Sequence, residues 1–324
     1  KPMLKQGGEW KEVDWQTALE YVANGLQGVK AQHGPQAIGT LASPHSTAEE
    51  LFLAASLTRG LGSQNIDTRL RAADFHTDVN SEHGGAVRAR WLGTSVASLT
   101  TLQRVLVIGS NIRKDQPLLA QRLRQAVRNG GKVNALNAQA YDWAMPVANT
   151  LVADAANWVQ ALADIAAAVG AITGAAAPVA GNANSAEAQA IAKSLTGGER
   201  KAILLGNAAA HHAKASSLLS LANWIGAQTG ATVGYLGEAA NTVGAQVVGA
   251  LPTAGGQNAG QMLAGGLKAV VLLNTEPAFD AANGAAAAQA IGQAEMVVTL
   301  SPFKANMDIS DVLLPISPFT ETAG

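Results

Sequence analysis

A recurring pattern constrains this chain more than anything else in it: short apolar runs that each give way to a small polar turn. Ala37-Ile-Gly-Thr-Leu41 runs into Ser43-Pro-His-Ser46, Val105-Leu-Val-Ile108 into Gly109-Ser-Asn111, and Ala202-Ile-Leu-Leu205 into Gly206-Asn207. Ala269-Val-Val-Leu-Leu273 leads into Asn274-Thr-Glu-Pro277, and Met296-Val-Val-Thr-Leu300 into Ser301-Pro302. Near-continuous apolar strands are the mark of a sheet covered on both faces, and parallel strands need helical crossovers between them. The predicted fold class is therefore α/β, doubly wound, with mostly parallel sheets.

The intervening segments supply those helices. Pro117 is suited to a first turn, and Leu119, Leu123, Ala126 and Val127 line one face before Gly130-Gly131 ends the helix and Lys132-Val-Asn-Ala-Leu136 begins the next strand. Thr47 and Glu50 have capping-box spacing ahead of a helix whose apolar positions are Leu51, Leu53, Ala54 and Leu57, stopping at Gly60 and Gly62. Gly7 to Trp15 alternates like a short strand or hairpin, and Asp14 is placed to cap a helix from Trp15 to Leu26. Trp158, Leu162, Ile165 and Val169 form a helical stripe. The Ala, Gly, Asn and Pro of residues 170–186 predict a surface loop or lobe boundary.

With 324 residues, 48% of them hydrophobic, two ordinary α/β lobes are expected. No window approaches the roughly 18 uninterrupted apolar residues of a membrane span, so direct membrane insertion is not expected. The absence of cysteine excludes disulfides, thiolate nucleophiles and Cys-ligated zinc or iron–sulfur clusters within these residues. Residues 1–132 carry 16 Lys/Arg against 11 Asp/Glu, and 133–324 carry 6 against 12. This reads as an uneven solvated surface, or else as a basic half that faces an acidic partner. Nucleic acid is not expected as a partner, since no cationic cluster is interleaved with aromatics.

Gly109, Ser110 and Asn111, together with Gly206 and Asn207, sit where doubly wound sheets bind nucleotides, at the carboxyl end of a strand entering a helix. Neither is a G-x-G-x-x-G or a P-loop, and small residues that turn the chain tightly explain both. The densest set of metal-ligand types is Asp74, His76, Asp78, Glu82 and His83, yet its spacing matches no paired-ligand pattern, so a polar loop is the expectation. His211 and His212 are adjacent and point apart on a helix, which disfavours a shared ligand role. No Ser-His-Asp constellation stands out, and no catalytic or metal residue is assigned.

Several stretches resemble one family in order along the sequence. These are Asn65-Ile-Asp-Thr-Arg-Leu-Arg71 followed by Asp74-Phe75, Val105 to Arg113 with Gln116-Pro117, Ala202 to Asn207, Gly237-Glu-Ala-Ala-Asn-Thr-Val-Gly244, and Asn274 to Pro277. Together they are similar to the large iron–sulfur subunit (the G subunit) of bacterial NADH:quinone oxidoreductase, respiratory complex I. The similarity lies in that subunit's region related to molybdopterin oxidoreductases, with sheets like domains II and III of those enzymes. Asp311-Val-Leu-Leu-Pro315 with Glu321 to Gly324 resembles a motif after which more chain follows, so a fragment of a larger redox protein is expected.

The resemblance implies a discontinuous lobe, 1–70 plus 176–324, with 71–175 inserted as a second α/β lobe. It implies other peripheral-arm subunits and an N-terminal cluster-bearing domain as partners, with iron–sulfur clusters outside this chain. The implied location is the cytoplasmic side of the bacterial inner membrane, in a membrane-bound complex, the chain itself being soluble. In molybdenum relatives the segment near Asp74 carries the Cys, selenocysteine or Ser that binds the metal, with Asp in some nitrate reductases, where this sequence offers Asp74-Phe75; the strand matching Lys132–Leu136 ends there in an Asp-Pro-Arg-like turn and here in Asn137-Ala-Gln. Both departures imply a cofactor-free scaffold. If a pterin site survives, Asp74, Gly109, Ser110, Asn111, Gly206 and Asn207 are its candidates. Two further expectations are an exposed apolar patch around Trp10 and Trp15, and loss of cover from Val312, Leu313 and Leu314 near the carboxyl end.

Overall fold

The computed structural model describes residues 1–76, 90–253 and 255–322. Among the described residues twelve strands form two sheets: β1 (Met3–Gln6), β2 (Glu9–Glu12), β3 (Ile38–Ala42), β4 (Ile66–Asp67), β5 (Arg104–Ile108), β6 (Lys132–Asn137), β7 (Asn149–Val152), β8 (Lys201–Leu205), β9 (Thr232–Tyr235), β10 (Ala269–Leu273), β11 (Met296–Ser301) and β12 (Val312–Pro315). The first sheet runs β2-β1-β12-β11-β10-β3-β4 and the second β7-β6-β5-β8-β9. Every pairing is parallel except those of the β1–β2 hairpin and of β1 with β12. The doubly wound α/β class is thus observed.

The alternation of side chains explains how so apolar a strand is used. In β5 and β8, Leu106, Ile108, Ile203 and Leu205 enter one core with the helices Trp158–Thr173, Ala186–Leu195 and Ala215–Thr229. Val105, Val107, Ala202 and Leu204 enter another with Leu99, Leu123 and Trp143. Fully burying each of Leu106, Ile108 and Leu136 contributes about 1.5–3 kcal/mol. The first sheet repeats the scheme, Ile38, Ala269 and Val298 packing under the helix Trp15–His33 and Leu41, Val270 and Val297 facing Met262 and Ile291. Helix Ala155–Thr173 is long and apolar enough to cross a membrane by length and composition, but Trp158, Leu162, Ile165 and Val169 are buried in the second unit's core.

Two compact units result: Lys1–Ala89 with Ala239–Gly324, and Arg90–Glu238. The inserted lobe therefore extends well past residue 175. β8 pairs with β5 and β9 with β8, so the strands at 201–205 and 232–235 complete the second sheet, and the loop that suggested a boundary is only the joint between helices Trp158–Thr173 and Ala186–Leu195. The two ends of this unit meet: the Tyr235 amide donates to the Trp91 carbonyl at 2.8 Å, and the Arg90 guanidinium lies 5.5 Å from the Tyr235 ring centroid. Charge follows the units rather than the halves of the sequence. The first has 16 Asp/Glu against 10 Lys/Arg, the second 7 against 12.

The local signals at helix starts are realised. Asp14 accepts from the Thr17 amide at 2.8 Å, and Thr47 and Glu50 form the reciprocal capping box of helix Ala48–Gly60. Gly7 and Gly8 both have positive φ, which fits the two-residue hairpin turn between β1 and β2. The expected loss of cover near the carboxyl end is not observed. Val312, Leu313 and Leu314 are buried, because β12 is an interior strand with β11 on one side and β1 on the other. Helix Ala48–Gly60 also departs from expectation: it buries Leu51, Ala55 and Thr58 and leaves Leu53 and Leu57 exposed.

Candidate functional site

In the second sheet, successive strands β5, β6 and β7 build outward on one side, and β8 returns to the other side of β5. The carboxyl ends of β5 and β8 therefore flank the topological switch point, where open α/β sheets bind ligands. Gly109 to Asn111 and Gly206-Asn207 are the turns that leave those two ends, so all five nucleotide-site candidates of this unit are brought together. Gly109 has φ +67, and a methyl group there would meet the Ala209 nitrogen at 2.7 Å and the Trp158 ring at 2.8 Å. A methyl on Gly206 would lie 2.4 Å from Ser110 Cβ. The glycines allow the two turns to pack on each other.

Four backbone donors at these turns are engaged within the fold. Gly109 donates to the Leu136 carbonyl at 2.9 Å, Ser110 to Asn137 Oδ1 at 2.9 Å, Gly206 to the Ile108 carbonyl at 2.8 Å and Ala208 to the Gly109 carbonyl at 3.1 Å. Ser110 Oγ donates to Asp115 at 2.8 Å. The buried side-chain oxygens Asn111 Oδ1 and Asn207 Oδ1 have no partner. Of the nearby cations, Arg113 is bound to Asp142 at 2.6 Å. The Ala144 amide and then the Arg113 charge hold the Asp142 carboxyl below the usual range. His211 pairs with Glu238 at 2.9 Å, whereas His212 reaches the Ala155 carbonyl and stacks on Trp158, so the two imidazoles diverge.

The switch point of the first sheet lies between β3 and β10 and is closed in a similar way. Ser43 donates to the Leu273 carbonyl, Asn241 Nδ2 to the Ser46 carbonyl at 2.9 Å, and Asn274 Nδ2 to Ser46 Oγ at 3.1 Å. Asn274 takes the left-handed conformation at φ +52, and Asp280 accepts from the Glu276 amide at 2.8 Å.

The arginine-rich motif is a clasp. Asp67 has no exposed surface and accepts from the amides of Thr68, Arg69 and Ala259 and from Arg69 Nε and Nη2, all between 2.8 and 3.1 Å. Asn65 donates to the Gln36 and Ile38 carbonyls and accepts from the Gln257 amide. Asp74 is buried, its carboxylate receiving the His76 amide at 2.9 Å and lying 2.7 Å from His76 Nδ1, while the His76 ring is exposed. Asp78, Glu82 and His83 lie outside the described residues. Among the described residues no group of three or more His, Asp and Glu is placed to hold a metal ion. Trp10 is half-buried beneath Lys5, and Trp15 is exposed.

A family model described as molybdopterin oxidoreductase matches residues 1–324. The chain belongs to the molybdopterin oxidoreductase family. It is similar to several proteins from Staphylococcus aureus, including strains USA300 and MRSA252, each named "Putative formate dehydrogenase", at 28% identity over 149 residues. That stretch is 44% of this chain and 15% of the relatives' length. Acetylene hydratase from Pelobacter acetylenicus shares the fold with a TM-score of 0.70 at 16% identity, over 97% of this chain and 54% of that one. A formyltransferase/hydrolase complex from Methylorubrum extorquens, solved with methylofuran, aligns with a TM-score of 0.66 at 15% identity, over 98% and 86%.

A molybdopterin oxidoreductase holds its cofactor through a phosphate-bearing pterin, so the donor sets of the two switch points are the test of fit. A diphosphate brings only acceptors and negative charge. Here the amides of Gly109, Ser110, Gly206 and Ser43 donate to Leu136, Asn137, Ile108 and Leu273, the unpartnered buried atoms of the turns themselves, Asn111 Oδ1 and Asn207 Oδ1, are acceptors, and Asp115, Glu238 and Asp280 add carboxylates. The residues present do not fit the group. The turns and the loss at Asn137 are readable in the sequence, whereas the roles of Asn241 and Asp115 as internal partners depend on contacts that spacing does not reveal.

Proposed function

We propose that this chain is the α/β body of the G subunit of bacterial NADH:quinone oxidoreductase, serving as a cofactor-free brace rather than as a catalyst. The observation that carries this is the internally engaged donor set at both switch points, with Asn137 bound to the Ser110 amide where the family has an acidic contact. On this reading the clusters that carry electrons from NADH to quinone lie elsewhere in the complex. Neighbouring peripheral-arm subunits and a cluster-bearing domain are its partners, and exposed Trp15 is one anchor for them. The assembly sits at the cytoplasmic face of the inner membrane. The test is metal analysis with pterin fluorescence after acid release, on this chain and on the longest natural protein that contains it. Molybdenum, tungsten and pterin should stay far below one equivalent. Near-stoichiometric molybdenum with pterin would overturn the proposal.

A second reading is favoured by the names of the Staphylococcus relatives: a pterin-dependent oxidoreductase domain with Asp74 toward the metal and Gly109, Ser110, Asn111, Gly206 and Asn207 toward the nucleotide. Under it, Asp74→Ala abolishes metal loading, and under the first reading the same change leaves metal content at background.

A further inference from the structure

The chain has five phenylalanines, and each lies on the connection that leaves the carboxyl end of one of the five parallel strands of the first sheet. Phe52 follows β3, Phe75 follows β4, Phe279 follows β10, Phe303 follows β11 and Phe319 follows β12. Phe75 packs against the core beneath Arg69. The other four are exposed by 56%, 78%, 73% and 90% in the order Phe52, Phe279, Phe303, Phe319. Their strands are consecutive neighbours, β12-β11-β10-β3. Adjacent strands lie about 4.8 Å apart, so the four connections that carry these rings start within roughly 15 Å of one another along one edge of one sheet.

Scattered exposed apolar residues need no explanation, but aromatic side chains collected on one edge mark an interaction surface. Beside the row lies a cavity of about 340 Å³ lined by Leu53, Leu57, Val271, Leu273, Leu300 and Ile316. The two polar side chains in its wall are already engaged, Thr40 with Thr58 at 2.6 Å and Glu50 with the Thr47 amide at 2.9 Å. Such a cavity accepts an aliphatic anchor and offers nothing to a polar one. The four connections, residues 43–52, 274–280, 302–308 and 316–322, carry six carboxylates, Glu49, Glu276 and Glu321 among them, and one cation, Lys304; a second cation, Arg71 from the connection after β4, lies 3.8 Å from Asp280, and the balance stays acidic. That balance repels an anionic lipid surface and attracts a cationic partner.

We propose that this edge docks a cationic amphipathic segment of a partner protein, its aliphatic face on the phenylalanine row with one side chain in the cavity, and its Lys/Arg toward the acidic connections. The inference deepens the brace reading and rests on it for the partner's being a protein of the same assembly. Molybdenum loading would sink that reading and leave the following titration to be decided separately.

The full chain is titrated with a synthetic Leu/Lys amphipathic helical peptide, a Leu/Glu counterpart, and phosphatidylcholine vesicles with and without phosphatidylserine. The Leu/Lys peptide should bind, more weakly as salt rises, and the other probes should not. Phe52→Ser, Phe279→Ser, Phe303→Ser and Phe319→Ser combined should weaken binding by about tenfold or more with the melting temperature kept, because exposed positions contribute little to stability. Glu49→Lys with Glu321→Lys, which removes no apolar surface, should also weaken it. Equal affinity across these variants, or for both peptides, overturns the proposal. So do vesicle binding, or self-association of the wild-type chain, that disappears in the four-phenylalanine variant.

Discussion

The carboxylate of Asp67 accepts a 2.9 Å hydrogen bond from the amide of Ala259, 192 residues further along the chain. Together with the Arg69 guanidinium on the same carboxylate, this joins the two separated parts of the first unit at a point without solvent. Removing one partner of a buried pair leaves an uncompensated charge.

Asp67→Ala should therefore destabilise the first unit by about 3–5 kcal/mol, and the double change Asp67→Ala/Arg69→Met by less than the single one. Urea unfolding of the three proteins measures this. A single variant within about 1 kcal/mol of wild type would mean that the clasp is not a stabilising element.

The close packing of the turns after β5 and β8 makes a second expectation. Gly109→Ala combines a positive φ with a methyl 2.7 Å from backbone, and the neighbour cannot rotate away. A loss of more than about 2 kcal/mol is expected in thermal unfolding, against a smaller one of about 1 kcal/mol for Gly130→Ala, whose positive φ strains the backbone but whose added methyl meets open space. Equal losses at the two glycines would show that packing contributes nothing beyond backbone strain.

Amide hydrogen exchange should protect Val312 to Leu314 as strongly as Val105 to Ile108. Both are interior strands with their side chains buried, β12 pairing in parallel with β11 and antiparallel with β1 along its outer edge. Exchange of β12 orders of magnitude faster than that of β5 would contradict the observed pairing.

Acid should act through surface carboxylates. Asp14, held by the Thr17 amide and hydroxyl, and Asp142, held by the Ala144 amide and Arg113, both have carboxyls lowered from their ordinary value. Glu295 is lowered as well: burial raises it, and hydrogen bonds from His33 and Lys268 more than compensate. A depressed folded value adds stability that is fully present above the ordinary carboxylate range and is lost as pH falls below about 4. The melting temperature should drop between pH 5 and pH 3, and more shallowly in Asp142→Asn. An identical slope in that variant would remove Asp142 from the account.

Much of the fold is legible in the sequence because it is local. The apolar runs around Val105 and Ala269, the capping box at Thr47 and Glu50 and the cap at Asp14 each need only neighbours a few residues away. The strands β4, β7 and β9 are not, being two to four residues long and lying at sheet edges, where alternation has little length to show. The extent of the insertion is hidden because the Ala, Gly and Asn of 170–186 mark a chain reversal, and a reversal between two helices looks the same as one between two lobes. At the candidate site the glycines and asparagines are readable, but the satisfaction of their backbone partners by Leu136, Asn137 and Ile108 depends on which strands lie side by side.

The meeting of Arg90 and Trp91 with Tyr235 bears on how the protein is made on the ribosome. The inserted unit is continuous in sequence and is complete before β10, β11 and β12 have been synthesised. Once it folds, its own contacts hold its ends together, and the loop between Asp67 and Ala259 is reduced to the segments on either side of the unit, residues 68–89 and 239–258. The entropy of closing that loop then falls on the inserted unit's folding rather than on the clasp. The last strands to emerge, β10, β11 and β12, fill the space between the β1–β2 hairpin and the β3–β4 pair, which nothing else joins in the sheet, so a mutation in the β5–β8 turns would be expected to delay a unit to which they do not belong.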